Sequence, residues 1–518
     1  MRLGIDFGTT RTVVAVSDRG NYPVVTFEDT DGDPHSYVPS VVAEVDGRLV
    51  HGFEAERASS VGAPTLRSVK RILSAPDATA DTPVTVGAIT LPLLEVLTSY
   101  FVALRRSMRD ASSLTSTPGA VESIDAHTDV CVAAVPAHAH SGQRMLTIDA
   151  LAAAGFTVER LVNEPSAAGF EYTHHRASTL NAQRSNVLVF DLGGGTFDAS
   201  LVSVVGEHHD VVASLGRADV GGDDFDHVLA RVACEHAGVD FDALSPTARG
   251  DLLLQAREAK ERIAPQSRRI LLDVAGEAVT VPVDEFYARS EPLVEAAMET
   301  MAPLSERLQR GEHGDADVAG IYVVGGASSL PLIPRMLRER FGRRVHRSPV
   351  PSSSTAIGLA IAADHTSPFE LRDRTSLGFG VFREADAGER VAFDPVFVPG
   401  IPIPDGDAIV RARRYRPEHN VGVYRFVEFS SLAEGHPNGL VFPAGDLRVP
   451  FDGSLTADAI TEGVRVHRDG TGPLVEERFE LDRNGIISVR VDNLDAGTSY
   501  VPALRRRGGA GVPAQQPA

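Results

Sequence analysis

Two short stretches carry the residue types that handle phosphate. Asp6-Phe7-Gly8-Thr9-Thr10 places a carboxylate at the end of an apolar run, followed by a glycine and two hydroxyls. Gly8 permits a tight turn whose backbone N–H groups can face an anion, and Thr9 and Thr10 add donors. Asp191-Leu192-Gly193-Gly194-Gly195-Thr196-Phe197-Asp198 repeats the scheme with a longer glycine nest and a second carboxylate. One Gly/Thr hairpin is usually only a hairpin. Two of them, 191 − 6 = 185 positions apart, can clasp a polyphosphate from both sides. Carboxylates beside phosphates repel unless a cation lies between, so Asp6, Asp191 and Asp198 imply Mg²⁺, held mostly through its waters. No G-x-x-x-x-G-K-[ST] occurs, and these glycines lead into strands rather than helices, so neither a P-loop nor a Rossmann site is supported. A third cluster, Val323-Val324-Gly325-Gly326-Ala327-Ser328, follows a strand and precedes a helix. Its bare glycines let a flat base or ribose lie against the backbone.

Lysine occurs only at Lys70 and Lys260, against 50 − 2 = 48 arginines. A compact point charge on a thin stem suits a tight phosphate pocket better than a planar fork does.

The elements that must position these residues follow from pattern. Residues 2–17 and 187–205 each read as strand, turn, strand, which suggests duplication of half a domain. Helical patterns cover 143–154, 223–237, 247–264, 331–341 and 355–363, and 319–325 reads as a buried strand. Residues 364–375 turn polar and contain Pro, as a linker does. Beyond it, apolar or alternating segments at 376–382, 408–413, 421–429, 439–442, 476–481 and 486–491 are divided by turns at Asp405-Gly406, Asn438-Gly439 and Asn484-Gly485, which fits a β-sandwich. The last stretch, RRRGGAGVPAQQPA, is too rich in Gly, Pro and Gln to pack and is expected to be disordered.

Composition narrows the function classes. The 518 residues carry 50 Lys+Arg against 70 Asp+Glu, a formal net charge of −20, which argues against nucleic acid as the main partner. The sequence contains no run of about 18 apolar residues, so no segment is expected to span a bilayer. The N-terminus is not that of a signal peptide, and two cysteines are too few for a disulfide scaffold. A cytoplasmic protein with no membrane partner is expected.

GIDFGTT, RSVKRIL, AAVPAHAHSGQR, RLVNEPSAAG, VFDLGGGTFD, VGGDDFD, AKERI and VVGGASSLP, in this order over residues 1–364, resemble the seventy-kilodalton heat-shock (DnaK-like) chaperone family within the actin-like ATPase superfamily. The resemblance implies an α/β two-lobed, duplicated actin-like nucleotide domain over 1–364. It also implies a linker over 365–375, an all-β sandwich that binds extended apolar peptides over 376–502, and a tail over 503–518. By the same resemblance the chain hydrolyses ATP slowly to ADP with Mg²⁺ and K⁺. Asp6, Asp191 and Asp198 would organise the metal, and Thr9, Thr10 and Thr196 would bond the phosphates. Lys70 would reach the γ-phosphate, and Glu164 would orient or activate the attacking water. Gly8, Gly193, Gly194, Gly195, Gly221, Gly222, Lys260, Gly325, Gly326 and Ala327 would line the nucleotide. Pro136 and Arg144 resemble the pair that relays nucleotide state, and Arg160 a residue that receives the linker and J-domain partners. A nucleotide exchange factor and unfolded polypeptide clients are further implied partners. Phe379, Phe382 and Val423 are candidates for the peptide pocket.

Three departures stand out against the family pattern. At the adenine end, where the family places long or cationic side chains, the flanking positions are Arg257, Glu261 and Ala264, and Ser329 stands where the family often has Arg, so weaker nucleotide binding is expected. The linker has only Phe369 and Leu371 as apolar anchors, so weaker or differently wired coupling is expected. About 16 residues follow the last strand, where a helical lid needs roughly 100, so the sandwich is expected to be lidless, with fast peptide release. Two other readings compete. One is a nucleotide-sensing scaffold without turnover. The other is an actin-like small-molecule kinase, against which the β-rich C-terminal region and Glu164 argue.

Overall fold

Arg2–Phe7 and Arg11–Val16 pair antiparallel, with Asp6 opposite Val13 at the turn end. Their neighbours complete the first sheet of the computed structural model. Val130–Val135 runs parallel to Arg2–Phe7, Thr157–Asn163 runs parallel to Val130–Val135, and Val38–Pro39 pairs antiparallel with the hairpin's outer strand. The model describes residues 1–176, 185–205, 208–217, 219–309, 318–386, 389–452, 455, 464–468 and 470–502. The second sheet repeats this scheme. Asn186–Leu192 and Phe197–Val205 form the hairpin, Val318–Val324 and Val345–Arg347 add parallel strands on one side, and His208–Arg217 adds an antiparallel strand on the other. The strand order and pairing sense of the two sheets agree, as expected of a doubled unit.

Strand alternation distributes the core. Leu3, Ile5 and Phe7 point to one apolar cluster and Leu188, Phe190 and Leu192 to another. Val13, Ala15, Val187 and Val189 face a third cluster shared by both sheets. That shared cluster is filled by two helices, Glu164–Arg176 and Ser354–Ala363. The second helix, STAIGLAIAA, is almost wholly apolar and small because it is packed on all sides. A Cβ at Gly358 would lie 1.8 Å from the Ala167 carbonyl oxygen, and one at Gly4 would lie 2.3 Å from that of Ala356. Bare backbone is what lets helix, helix and strand meet.

Residues 378–500 build two four-stranded antiparallel sheets. One has the spatial order Arg390–Phe397, Gly378–Ala385, Val421–Ala433, His436–Pro450. The other has the order Ile409–Tyr415, Val475–Leu481, Ile487–Asn493, Thr498–Tyr500. Phe379, Phe426, Val449, Phe479 and Val489 from the two faces share one core.

Three features differ from the sequence expectations. The segment read as an unstructured linker contains a strand, Glu370–Arg372, which pairs parallel with His208–Asp210 as a sixth strand of the second sheet. Leu371 is buried there and Phe369 contacts Phe170, His174 and His209, so two apolar anchors suffice. The strand Arg390–Phe397 has no counterpart among the predicted ones, because its first residues, RVA, are exposed at a sheet edge and break the alternation. The hairpin turn lies at Glu434-Gly435 rather than at Asn438-Gly439. Both turn residues have positive φ (51° and 79°) between the paired Ala433 and His436, which is the two-residue primed turn. Gly439 (φ 73°) lies inside the following strand, where the register shifts between Phe429 and Ser431. The tail 503–518 lies outside the described residues.

Gly358→Ala forces a methyl onto a helix backbone that cannot retreat, at a cost of about 1–3 kcal/mol. Its melting temperature should fall well below that of the unaltered protein in a thermal scan. An unchanged midpoint means the two helices do not touch.

Candidate functional site

The two phosphate-type hairpins meet face to face. A Cβ at Gly194 would come within 2.6 Å of Thr10, and one at Gly195 within 2.9 Å of Thr9. Gly221 is stacked behind Gly195 at 2.5 Å by the same measure. Between the halves opens a cleft. Its walls hold Asp6, Gly8, Thr9, Thr10, Lys70, Glu164, Asp191, Gly193, Gly194, Thr196, Gly222, Lys260, Gly325, Gly326 and Ala327. Gly325 has φ 85°, and a side chain there would strike Asp191 Oδ1 at 2.5 Å, so only glycine serves.

Charge concentrates at the floor. Lys70, on the short helix Val69–Leu73, donates to Glu164, the first residue of its helix, and both are buried. Its ammonium also lies 5.9 Å above the Phe7 ring. Burial would make Lys70 less basic, but Glu164, Asp6 and Asp198 outweigh it and raise its pKa, so the ammonium stays charged. Asp191 and Asp198 are direct cross-strand partners, an arrangement that sets like charges against each other. Burial and then the Glu164 charge push Asp6 up to about 7. Burial, followed by Glu164, Asp198 and Asp6, raises Asp191 well above the carboxylate range. Asp198 sits deeper, accepting from Ala137 N at 3.2 Å with His138 Nδ1 3.4 Å away. Lys260 is tied to Asp226 at 2.6 Å and donates to the Gly222 carbonyl at 2.5 Å.

These residues fit a divalent cation held at one remove. Four carboxyl groups, of which Glu164, Asp191 and Asp198 are buried, crowd one ammonium, and an Mg²⁺–polyphosphate would relieve that crowding. Among the described residues no three His, Cys, Asp or Glu groups converge closely enough to chelate a metal directly, which suits a metal bound through waters and phosphate oxygens.

The second set of contacts joins this floor to residues 370–490. Asp373 accepts from Asn163 N (2.8 Å), Asn163 Nδ2 (2.9 Å) and Ser166 Oγ (3.1 Å), gripping the helix start on both sides of Glu164. Arg144, fully buried, donates to Asn163 Oδ1 (2.6 Å) and to the Asn484 carbonyl (3.1 Å). Glu428, from the sandwich, receives Ser141 N at 2.9 Å and the Ser141 hydroxyl, capping the helix Ser141–Ala153. The Ser376 hydroxyl donates to the carbonyl of Ala137, whose N–H holds Asp198. Pro136 is buried at the start of this loop, its carbonyl accepting from Ala139 N. Arg160 reaches toward Asp405 at 3.4 Å and the Leu371 carbonyl at 3.5 Å.

The three peptide-pocket candidates do not come together. Phe379 is in the sandwich core stacked on Phe426, Phe382 packs on Phe393, and Val423 lines a separate depression with Tyr415 and Arg383. That depression mixes apolar walls, among them Pro417, Val421 and Phe451, with polar ones. Arg383 is held by Glu477 and Asp394, and Tyr415 by Tyr424 and Glu477. Sequence reasoning missed Asp373, Ser376, Glu428, His138 and Arg11. Only Asp373 offered a signal, a carboxylate two residues after Leu371, the second of the linker's apolar anchors.

The family described as Hsp70 protein matches residues 2–393. The chaperone protein DnaK of Halobacterium salinarum is 26% identical over 541 aligned positions, covering 99% of this chain and 76% of that protein. The chaperone protein HscA homolog of Burkholderia mallei is 33% identical over 378 positions, covering 70% of this chain and 58% of its own length. No helix among the described residues is long and apolar enough to cross a membrane.

Asp6 offers a test of the crowded floor. Its folded pKa of about 7 exceeds the ordinary 3.8, so the folded state holds a proton that the unfolded chain releases. The stability it contributes is therefore present below about pH 4 and lost as pH rises toward 7. Asp6→Asn should raise the nucleotide-free protein's stability at pH 8 by about 2–4 kcal/mol, with the gain vanishing toward pH 4. A variant less stable than the parent at pH 8 means attraction to Lys70 outweighs the crowding.

Proposed function

The chain belongs to the Hsp70 family, and from that premise we propose that it is an ATP-hydrolysing chaperone whose β-sandwich binds extended polypeptide and reports through the linker to the nucleotide cleft. The observation that carries this reading is the meeting of the two glycine–threonine hairpins over a floor formed by Lys70 and Glu164. Phosphoryl transfer to water needs mainly positioning and charge neutralisation. The backbone N–H groups of Gly193–Gly195 and Gly8 and the hydroxyls of Thr9, Thr10 and Thr196 supply fixed dipoles for the phosphate oxygens. Lys70, held cationic by its carboxylate neighbours, provides a point charge at the transferred phosphoryl group. Glu164, bonded to Lys70, sits where it can accept a hydrogen bond from the attacking water and orient it. Mg²⁺ held through waters by Asp6, Asp191 and Asp198 would add neutralisation of the phosphates.

The coupling follows from the same contacts. Asp373 holds both sides of Glu164, so docking of the linker strand fixes the water-orienting residue, and its release loosens it. Clients are unfolded segments, and a J-domain protein and an exchange factor are the expected helpers. The scaffold reading is favoured by one observation: at the base end Glu261 is engaged by Arg11 and Arg257, leaving no long cationic side chain free to stack on a purine. Under that reading nucleotide binds without turnover and peptide does not bind.

Steady-state phosphate release should be slow and Mg²⁺-dependent, and should drop at least about 100-fold in Lys70→Ala and Asp191→Asn. Parental turnover in both variants removes the site. Asp373→Ala should keep basal hydrolysis within a few fold but abolish its stimulation by an unfolded peptide, and retained stimulation disconnects the linker from Glu164.

A further inference from the structure

Gly222 marks where the two ends of the cleft divide. A Cβ there would lie 3.4 Å from the Gly194 Cα of the phosphate-type turn, and 3.3 and 3.4 Å from Lys260 Nζ and the Ala327 Cβ on its other side. The end beyond it, toward Arg257, Glu261 and the Gly325–Ala327 turn, is where a base would lie. A site selects one base by two means. It stacks the ring on an aromatic or other extended surface, or it presents polar groups that the wrong base leaves unpaired.

Neither means is at hand. Among the described residues that line the cleft none is aromatic, and the only hydrocarbon side chains are Val13, Ala327 and Pro351. The charged groups at the base end are occupied by one another. Lys260 is tied to Asp226 at 2.6 Å and to the Gly222 carbonyl at 2.5 Å, and Asp223 to Arg71 at 3.0 Å. Glu261 takes Arg11 at 2.6 Å on one oxygen, faces Arg257 at 3.5 Å with the other, and has 42% of its side chain exposed to water. The backbone of the glycine turn is used as well. Gly325 N–H donates to the Pro351 carbonyl (2.9 Å), and the Gly325 and Ala327 carbonyls accept from Ser328 N (3.2 Å) and Leu330 N (3.0 Å). The Ser352 and Thr355 hydroxyls also line the cleft, but a hydroxyl donates or accepts as its neighbour requires. A base of any hydrogen-bonding pattern therefore strands no group here, and the penalty that enforces choice is missing.

The other end is built for what every nucleoside triphosphate shares: the glycine nest, Thr9, Thr10, Thr196 and Lys70 all line it. In hydrolysis the water oxygen bonds to the γ-phosphorus and the bond from that phosphorus to the β–γ bridging oxygen breaks. Nucleoside diphosphate, inorganic phosphate and a proton result, and the base takes no part.

We propose that this cleft selects the triphosphate and is indifferent to the base, so that its substrates are Mg²⁺ complexes of nucleoside triphosphates as a class, purine and pyrimidine alike. The inference rests on the reading of the cleft as a nucleotide site and deepens it, with ATP as one member of the class.

The test is steady-state phosphate release by the full chain with Mg²⁺ and ATP, GTP, CTP or UTP in turn. The values of kcat/KM should agree within about fivefold, where a base-reading site spreads them by about 100-fold or more. In a displacement assay, N-methylanthraniloyl-ADP should be driven off by each triphosphate and by inorganic tripolyphosphate with Mg²⁺, but not by adenosine. Ser329→Arg supplies the missing surface. Ser329 is exposed two residues beyond Ala327, and a guanidinium there can lie over a ring, so this variant should acquire a purine preference of about three- to tenfold. A preference for ATP above about 20-fold in the parent, or displacement by adenosine, overturns base indifference and leaves the nucleotide site standing. Should nothing be hydrolysed, the displacement constants of the triphosphates carry the same comparison. Failure of the analogue and of every triphosphate to bind overturns the nucleotide site and the proposal together.

Discussion

One electrostatic constraint governs the cleft: a single buried ammonium, that of Lys70, faces the carboxyl groups of Asp6, Glu164, Asp191 and Asp198. At an effective dielectric near 20, two unit charges 4 Å apart interact by about 4 kcal/mol, so such a group holds together only if something else fixes it. The backbone does so. Asp6, Asp191 and Asp198 are delivered by strands whose apolar faces are locked into three clusters, and the cluster shared by both sheets is filled by two helices in backbone contact. The cost appears in the acid–base state of the floor, where Asp6 and Asp191 are each pushed up by burial and then by Glu164. A cation-bearing polyphosphate is the natural relief of that crowding.

The same helices carry the consequences outward. Two carboxylates from beyond residue 370 satisfy the free amides at the starts of two helices on the first half. Asp373 does so at Asn163 before the helix Glu164–Arg176, and Glu428 at Ser141 of the helix Ser141–Ala153. Unpaired N-terminal amides and the positive end of the helix dipole make such positions ready anion sites. Arg144 sits between them, bonded to Asn163 and to the Asn484 carbonyl. The sandwich and the linker therefore hold the two helix starts nearest to Glu164 and to the loop that carries Ala137, whose N–H holds Asp198. The path is short and polar, which explains how a linker with only two apolar anchors stays docked.

The sandwich tells a different story from the cleft. An apolar groove built on Phe379, Phe382 and Val423 is a natural expectation from strand patterns, yet alternation assigns Phe379 to the shared core and leaves Val423 in a depression where Val421 and Phe451 stand beside Arg383 and Tyr415, both tied to the buried Glu477. A buried polar network fully satisfied in this way rigidifies its surroundings. Its members are scattered over four strands, so no local pattern announces them.

Strand–glycine–threonine–strand hairpins, their duplication, five of the helices and the rarity of lysine were readable from the chain, because each depends on residues within a few positions of one another or on a motif with one physical use, whereas the helices Leu93–Asp110, Glu164–Arg176 and Val283–Gln309 have no counterpart among the predicted ones. The three aspartates could be named for the same reason and Lys70 for its rarity, whereas Glu164 was named only through the family resemblance. What folding alone settled was which distant groups meet: Arg11 with Glu261 across 250 positions, Asn163 with Asp373 across 210, and Ser141 with Glu428 across 287. Hydrophobic periodicity fixes which face of an element is buried. It does not fix the angle or register at which two packed units come to rest, and charges that pair only at that interface leave no periodic trace in the chain.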